Sequence, residues 1–312
     1  FPGLVTELKK IEDKSTYFTD IRQVAGTSWT IGGMVSSQLG IPLFTPINNK
    51  DIEDKDDFLP KAKGVADLLS KEGYYLTFFG GADLEFQEKG TFYKTHNFDE
   101  IHGLNDLSKN IDDEKNLNNW GIDDDKVLEL AYNRFMELSA NEDKFGMFLI
   151  TLGTHHPQGH IPEEYRDIMY KDGSNPILTS IKASDVIISE FVNKILDSKY
   201  AKDTIIIIAS DHLAMRNTAF DRLEDAKRRN MFMILSSEQK DSKRIDKRGS
   251  TLDIGPTILS FLGYDAQIGL GRDLLDENTT GYEIKKIHDN LISWKVEIKK
   301  FWGELAEDDL ID

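Results

Sequence analysis

Apolar residues fall into two kinds of run along this chain. Four short runs are rich in β-branched and aromatic residues: Tyr74–Phe79, Phe145–Leu152, Thr204–Ala209 and Met231–Leu235. Each predicts a buried strand. Thr204-Ile205-Ile206-Ile207-Ile208-Ala209 is apolar on both faces, the pattern of a central parallel strand. Helical spacing separates these runs. Phe58–Glu72 puts Leu59, Ala62, Val65, Ala66, Leu68 and Leu69 on one side, and Asp125–Ala140 and Ser180–Ser198 repeat apolar residues every three or four positions. Tyr282–Leu305 reads as a helix with Ile284, Ile287, Leu291, Trp294, Ile298 and Trp302 inward. Strands alternating with helices predict an α/β fold, a mostly parallel central sheet flanked by helices. No repeat, low-complexity segment or clear linker interrupts the pattern. Residues 1–312 therefore read as a single domain with a C-terminal helical segment at about 282–305.

Composition narrows the partners. Hydrophobic residues are 39% and charged residues 30%, which suits a globular chain, and no apolar run approaches the ~20 residues that span a bilayer. The net charge of −17, from 38 basic and 55 acidic residues, argues against nucleic acid as a partner. A small anionic substrate in a local basic pocket stays compatible with it. The acidic runs Asp51–Asp57 and Asp123–Asp125 read as solvated loops, and neither has the spacing of a calcium loop. With no cysteine, disulfides, thiolate metal sites and cysteine nucleophiles are excluded. The chain opens on Phe1-Pro2-Gly3, a loop-like sequence without a signal-peptide pattern, and an upstream segment is expected.

In an open parallel sheet, chemistry gathers beyond the carboxyl ends of the strands. Three polar turns follow predicted strands: Gly80-Gly81-Ala82-Asp83, Gly153-Thr154-His155-His156-Pro157 and Ser210-Asp211-His212. Asp211 and His212 pair a hard carboxylate with an imidazole, a natural pair of metal ligands. The other reading is an Asp capping the next helix beside an unrelated His. None of the seven histidines has an Asp four residues before it, so a second metal of the two-metal hydrolases is not expected. The nucleophile must then be a hydroxyl. Gly26-Thr27-Ser28-Trp29-Thr30-Ile31-Gly32-Gly33-Met34 offers several on a turn entering a helix, where backbone amides suit a phosphate. Ordinary capping by Thr27 or Ser28 is the alternative. Trp29 either flanks the pocket or belongs to the core. Arg272 follows two close glycines and is a candidate anion ligand, while Asp253 reads as a helix cap.

Ser210-Asp211-His212, the Thr30 turn, Thr154-His155-His156-Pro157 and Asp253-Ile254-Gly255-Pro256-Thr257 occur in the order seen in sulfatase-like phosphotransferases of the alkaline-phosphatase superfamily. The chain resembles the branch that transfers phosphoglycerol to osmoregulated periplasmic glucans, through Gly40-Ile41-Pro42-Leu43-Phe44, Asp211-His212-Leu213-Ala214-Met215 and Gly269-Leu270-Gly271-Arg272. Lipoteichoic acid synthases are more distant relatives. The resemblance spans nearly all of residues 1–300. It implies that Thr30 is the nucleophile and a metal ligand, that Asp211 and His212 are metal ligands, and that His155 contacts substrate. Lys89 would stand where the synthases grip glycerophosphate with an arginine, so a forked contact becomes a point charge. A further glutamate ligand, at the end of the family's first strand, would lie upstream of Phe1.

The resemblance further implies one divalent metal, manganese before zinc or magnesium. The donor would be a glycerophospholipid at the membrane surface and the acceptor a periplasmic glucan. The setting would be the periplasm of a Gram-negative cell, with a membrane anchor upstream. Rival expectations are a sulfatase, a phosphoethanolamine transferase or phosphodiesterase on the same fold, and a non-catalytic glucan-binding or sensor domain. The sulfatase rival lacks its precursor, since no Cys or Ser begins the required C/S-x-P-x-R pattern.

Overall fold

The structure, a computed structural model, describes residues 1–45, 56–111, 114–239, 241–265, 267–280 and 284–303. Residues 51–55 of the acidic run, and residues 282, 283, 304 and 305 of the expected C-terminal helix, lie outside these.

Among the described residues the strands are β1 (Thr16–Phe18), β2 (Ile21–Arg22), β3 (Tyr75–Gly80), β4 (Glu100–His102), β5 (Leu117–Asn118), β6 (Gly121–Ile122), β7 (Phe145–Ile150), β8 (Ile205–Ala209), β9 (Phe232–Ser236), β10 (Lys243–Ile245) and β11 (Gly249–Ser250). β3 lies between β4 and β7 and runs parallel to both. β1 pairs parallel with β10 and antiparallel with β9, which pairs antiparallel with β8. β2 and β11 form a short parallel pair. The four strands expected from the sequence are all present within a residue or two.

Side chains alternate across these strands, and helices bury both faces. Phe148 and Ile150 of β7 pack on a cluster that includes Val35, Val65, Leu69 and Phe78. Met147 and Leu149 pack on the opposite cluster, with Phe135, Ile187 and Phe191. The helix Asp124–Asn141 turns Val127, Leu128, Ala131, Phe135 and Leu138 inward, the three-and-four spacing read from sequence. The helix Pro176–Leu196 opens with Pro176 in its first turn and an Asn175 side chain that accepts the Leu178 N–H. No helix among the described residues is long and apolar enough to cross a membrane.

Three expectations change. The pattern over Phe58–Glu72 becomes a helix only at Val65–Lys71. Leu59 has a positive φ of 50° and precedes Pro60, which disfavours helix at that point, yet Phe58, Leu59 and Ala62 are buried all the same. Asp123 and Asp124 are not solvated: both are buried, because they brace neighbouring loops. Finally, β8 has one described partner, the antiparallel β9, and Ile205 and Ile207 are each 36% exposed. Its other edge, like the outer edge of β7, opens onto a cavity of about 1620 Å³. Ile181, Ile188 and Phe191 line one side of that cavity, and Val65, Leu69 and Ile258 the other. The C-terminal helix spans Ile284–Lys299 and buries Leu291 and Ile298, with Trp302 buried just beyond it.

The six-residue helix Glu7–Glu12 has no side-chain cap of its own. Its amides are satisfied from another helix. The buried Asp185 carboxylate accepts the N–H groups of Thr6, Glu7 and Leu8 at 2.8, 3.0 and 2.8 Å, and the Lys182 ammonium at 3.0 Å. Burial alone would raise the Asp185 pKa, but these donors hold it below the ordinary carboxylate value. Asp185→Ala should therefore cost about 3 kcal/mol in urea unfolding, since three buried donors lose their acceptor. A depressed folded pKa stabilises above the unfolded value of about 4, and that stability is lost as pH falls through the folded value. The destabilisation in the variant should thus shrink in acid, and a pH-independent difference would contradict this role.

Candidate active site

The three polar turns meet at one end of the cavity. Gly80, Gly81, Ala82 and Asp83 after β3, Thr154, His155 and His156 after β7, and Ser210, Asp211 and His212 after β8 all line it. The turns that follow β7 and β8 therefore share a rim. Trp29 and Thr30 enter the same rim from the helix Thr30–Leu39.

That helix begins without a side-chain cap. Trp29 is the capping residue and makes no side-chain capping bond. Capping by Thr27 does not occur, because the buried Thr27 hydroxyl donates to the Val24 carbonyl at 2.9 Å. Instead the Ile31 N–H donates to the Gln87 side-chain oxygen at 3.2 Å. Gln87 and Glu88 both hold positive φ, 60° and 55°, to bring that oxygen in. Such backbone is costly for non-glycine residues. Thr30 is half-buried in the first helical position.

The helix rests on the Asp211 turn through a missing side chain. A Cβ on Gly33 would meet the Asp211 carbonyl oxygen and lie 2.7 Å from its carbon. Only glycine allows this approach, which brings the first turn of the helix beside Asp211 and His212. The turn is held from below. Ser210 N–H donates to Met231 O at 2.9 Å, and Leu213 N–H donates to Gln23 Oε1 at 2.7 Å. His212 Nδ1 lies 2.9 Å from the Leu213 carbonyl. A carbonyl only accepts, so Nδ1 carries a proton and Nε2 is the nitrogen turned toward the site. His212 Nε2 and Asp211 Oδ2 are 3.4 Å apart.

His155 is fixed in the same way. Its Nδ1–H donates to the His156 carbonyl at 2.8 Å, leaving Nε2 free to accept. Burial lowers its pKa, and His156, His212 and Asp211 are close enough to act on it electrostatically. The His155 loop is pinned by two helices. Asp124 accepts the Leu152 and Gly153 N–H groups at 2.6 and 2.8 Å, and Ser180 Oγ donates to the Gly153 carbonyl. Burial raises Asp124 to about 6, partly offset by those two amides. His160, at the end of the same loop, pairs with Asp123 at 2.9 Å.

The other candidates separate. Lys89 is buried in the cavity wall, its pKa lowered to about 8 by burial, with Asp83 acting against the shift. Its ammonium donates to the Phe86 carbonyl of its own loop. Trp29 lines the cavity and also packs on the first core cluster, so both readings of it hold. Arg272 stands outside the cavity lining. Its backbone N–H donates to Asp253 Oδ1 at 2.8 Å, its side chain lies 3.4 Å from the same buried carboxylate, and it donates to Thr280 O. Sequence reasoning missed Gln87 and Trp120. Trp120 is 41% exposed and lies against His155 with ring centroids 3.8 Å apart and the planes tilted by 37°. No spacing signal marks either residue, since both reach the site through backbone turns.

Among the described residues, no cluster of three or more His, Asp or Glu side chains suits a metal ion. Asp211 and His212 fit as two ligands of one. Two atoms each about 2.1 Å from a cation, at a tetrahedral angle, stand about 3.4 Å apart. A ligand histidine also normally gives its other N–H to a carbonyl, as His212 does.

The Sulfatase family matches residues 7–264, and the chain belongs to it. Phosphoglycerol transferase I of Shigella flexneri is 36% identical over 304 residues, 97% of this chain and 40% of that protein. Phosphoglycerol transferase I of Escherichia coli (strain 55989 / EAEC) matches with the same figures. The chain thus spans 40% of the length of these relatives. Among solved structures, a protein of the alkaline phosphatase superfamily from Vibrio parahaemolyticus superposes with a TM-score of 0.71 at 24% identity, over 89% of this chain and 65% of that one. The lipoteichoic acid synthase LtaP of Listeria monocytogenes gives 0.67 at 19% identity, over 87% and 69%. The fold is that of the alkaline-phosphatase and sulfatase group, as expected from sequence.

Gly33→Ala should break the site without touching a reactive group. The added methyl pushes the helix off Asp211 at a cost of about 1–3 kcal/mol. Urea unfolding and turnover together check this, and a variant with native stability and full turnover would show that the close approach is dispensable.

Proposed function

We propose that this chain is the catalytic domain of a metal-dependent phosphoglycerol transferase. It would move phosphoglycerol from a glycerophospholipid head group to a hydroxyl of a glucan, by way of a phosphoglycerol-threonine intermediate on Thr30. One observation carries the reading: Thr30, His155, Asp211 and His212 line one cavity rim in a chain 36% identical to phosphoglycerol transferase I. Exposed Phe86 and Met215 at the same cavity add apolar surface for an amphiphilic donor.

In the first step Thr30 gives its proton to His155 Nε2, its Oγ attacks phosphorus, and the bond to diacylglycerol breaks. The departing alkoxide takes that proton from His155 Nε2. In the second step an acceptor hydroxyl gives its proton to neutral His155 Nε2 and displaces Thr30, whose oxygen takes the proton back. His155 suits both roles, because its Nδ1–H is committed to a carbonyl and only Nε2 exchanges a proton. The lowered pKa makes its imidazolium a stronger acid in the first step. Splitting one displacement into two is what a covalent intermediate offers. Asp211, His212 and Thr30 would hold a divalent cation, manganese in our reading, which offsets charge on the phosphoryl oxygens and favours ionised Thr30.

We further propose that a strand of the polypeptide outside residues 1–312 fills the cavity between β7 and β8. Two strand edges without a partner among the described residues, and apolar helices on both sides, support that reading. Such a strand would end at the rim and bring the missing carboxylate. The domain would work in the periplasm, anchored at the outer face of the inner membrane.

The nucleophile is tested with a labelled donor and no acceptor. The wild-type protein should carry one phosphoglycerol on Thr30 by peptide mass spectrometry, and Thr30→Ala should carry none and lose transfer. Loss in Thr27→Ala with full activity in Thr30→Ala would overturn the assignment. Manganese titration tests the metal and the strand together. A chain extended upstream of Phe1 should bind one ion tightly, residues 1–312 at least tenfold more weakly, and the extended Asp211→Ala protein weakly too. Equal binding by both lengths would show that no upstream ligand exists.

A further inference from the structure

Trp120 sits on a short hairpin that the proposed chemistry does not use. β5 and β6 pair antiparallel, Leu117 with Ile122 and Asn118 with Gly121, leaving Asn119 and Trp120 as the turn. This hairpin is locked onto the end of β3. Ile122 N–H donates to the Gly81 carbonyl at 3.0 Å. Gly121 has a φ of 138°, and a Cβ there would collide with the same Gly81 carbonyl, so the two backbones interlock. Inside the turn, Trp120 N–H donates to Asn118 Oδ1 at 2.8 Å. Asn118 Nδ2 donates to Asp123 Oδ1 at 2.7 Å, and Asp123 pairs with His160 at 2.9 Å. The hairpin and the His155 loop are therefore braced through one buried carboxylate.

The consequence is a rigid aromatic step. One edge of the Trp120 indole meets the His155 ring at a tilt of 37°, with centroids 3.8 Å apart, while 41% of the residue stays exposed on the cavity lining. An exposed indole held this firmly contributes nothing to the core. It offers a flat apolar platform at low entropic cost. Asn119, exposed beside it on the cavity lining, carries an amide with both a donor and an acceptor. A pyranose ring matches that pairing. Its C–H face packs on an aromatic plane and its equatorial hydroxyls reach amides at the edge. A lipid chain would leave the amide unused.

We propose that Trp120, with Asn119, is the acceptor subsite, where a sugar ring stacks so that its hydroxyl approaches His155 Nε2. This rests on the transferase reading above. The test uses the full-length protein, vesicles of phosphatidylglycerol, and a gluco-oligosaccharide as acceptor. It reads the ratio of phosphoglycerol transferred to the sugar over phosphoglycerol released to water. Trp120→Ala should lower that ratio about tenfold, the worth of one aromatic stack, and Trp120→Phe should restore most of it. Asn119→Ala should lower it less. Titration of the oligosaccharide without donor, followed by indole fluorescence, should show a response that Trp120→Phe loses. An unchanged ratio with both fluxes reduced equally would mean that Trp120 acts only by supporting His155. A raised KM for the vesicles would assign the indole to the lipid. Either result overturns the subsite. A wild-type protein that releases phosphoglycerol to water and transfers none to the sugar would instead overturn the glucan reading itself.

Discussion

The site depends on the absence of one side chain. The helix Thr30–Leu39 and the Asp211 turn belong to distant parts of the chain, and Gly33 lets their backbones touch. A Cβ at this position would collide with the Asp211 carbonyl oxygen, so a larger residue would force the two backbones apart. That contact holds the first turn of the helix against a turn whose own geometry is fixed by Leu213 and Gln23. The rim is thus built on braced elements, which is what catalysis by positioning needs.

Buried carboxylates do the corresponding work elsewhere. Asp124 gathers the amides that end β7, Asp123 joins the hairpin to the His155 loop, and Asp185 caps a helix from a distance. A chain with net charge −17 might be expected to keep its acids in water. Here several of them are spent on backbone amides, because a buried carboxylate is tolerable when hydrogen-bond donors surround it. Asp83 and Asp211, by contrast, line the cavity rim.

The strands and the larger helices were legible from periodicity, since β3, β7, β8 and β9 are short and strongly β-branched or aromatic. So was the clustering of three polar turns, because a parallel arrangement puts strand ends together. The family's order of motifs pointed to Thr30, His155, Asp211 and His212. Arg272 was read from two nearby glycines, and its pairing with Asp253 lies beyond any local pattern. Gln87 and Trp120 were not legible, for they reach the site by left-handed backbone and an interlocked hairpin.

By itself, then, the sequence determined which residue types could act: a hydroxyl nucleophile with no thiol available, one Asp-His pair, and strands of set length and polarity. These follow from side-chain chemistry and from periods of 2 and 3.6, which are local properties. Tertiary structure decided which acids are buried, which tautomer each histidine holds, and which strand edges remain open. Those depend on groups far apart in the chain meeting within a few ångströms, and no local pattern encodes such a distance.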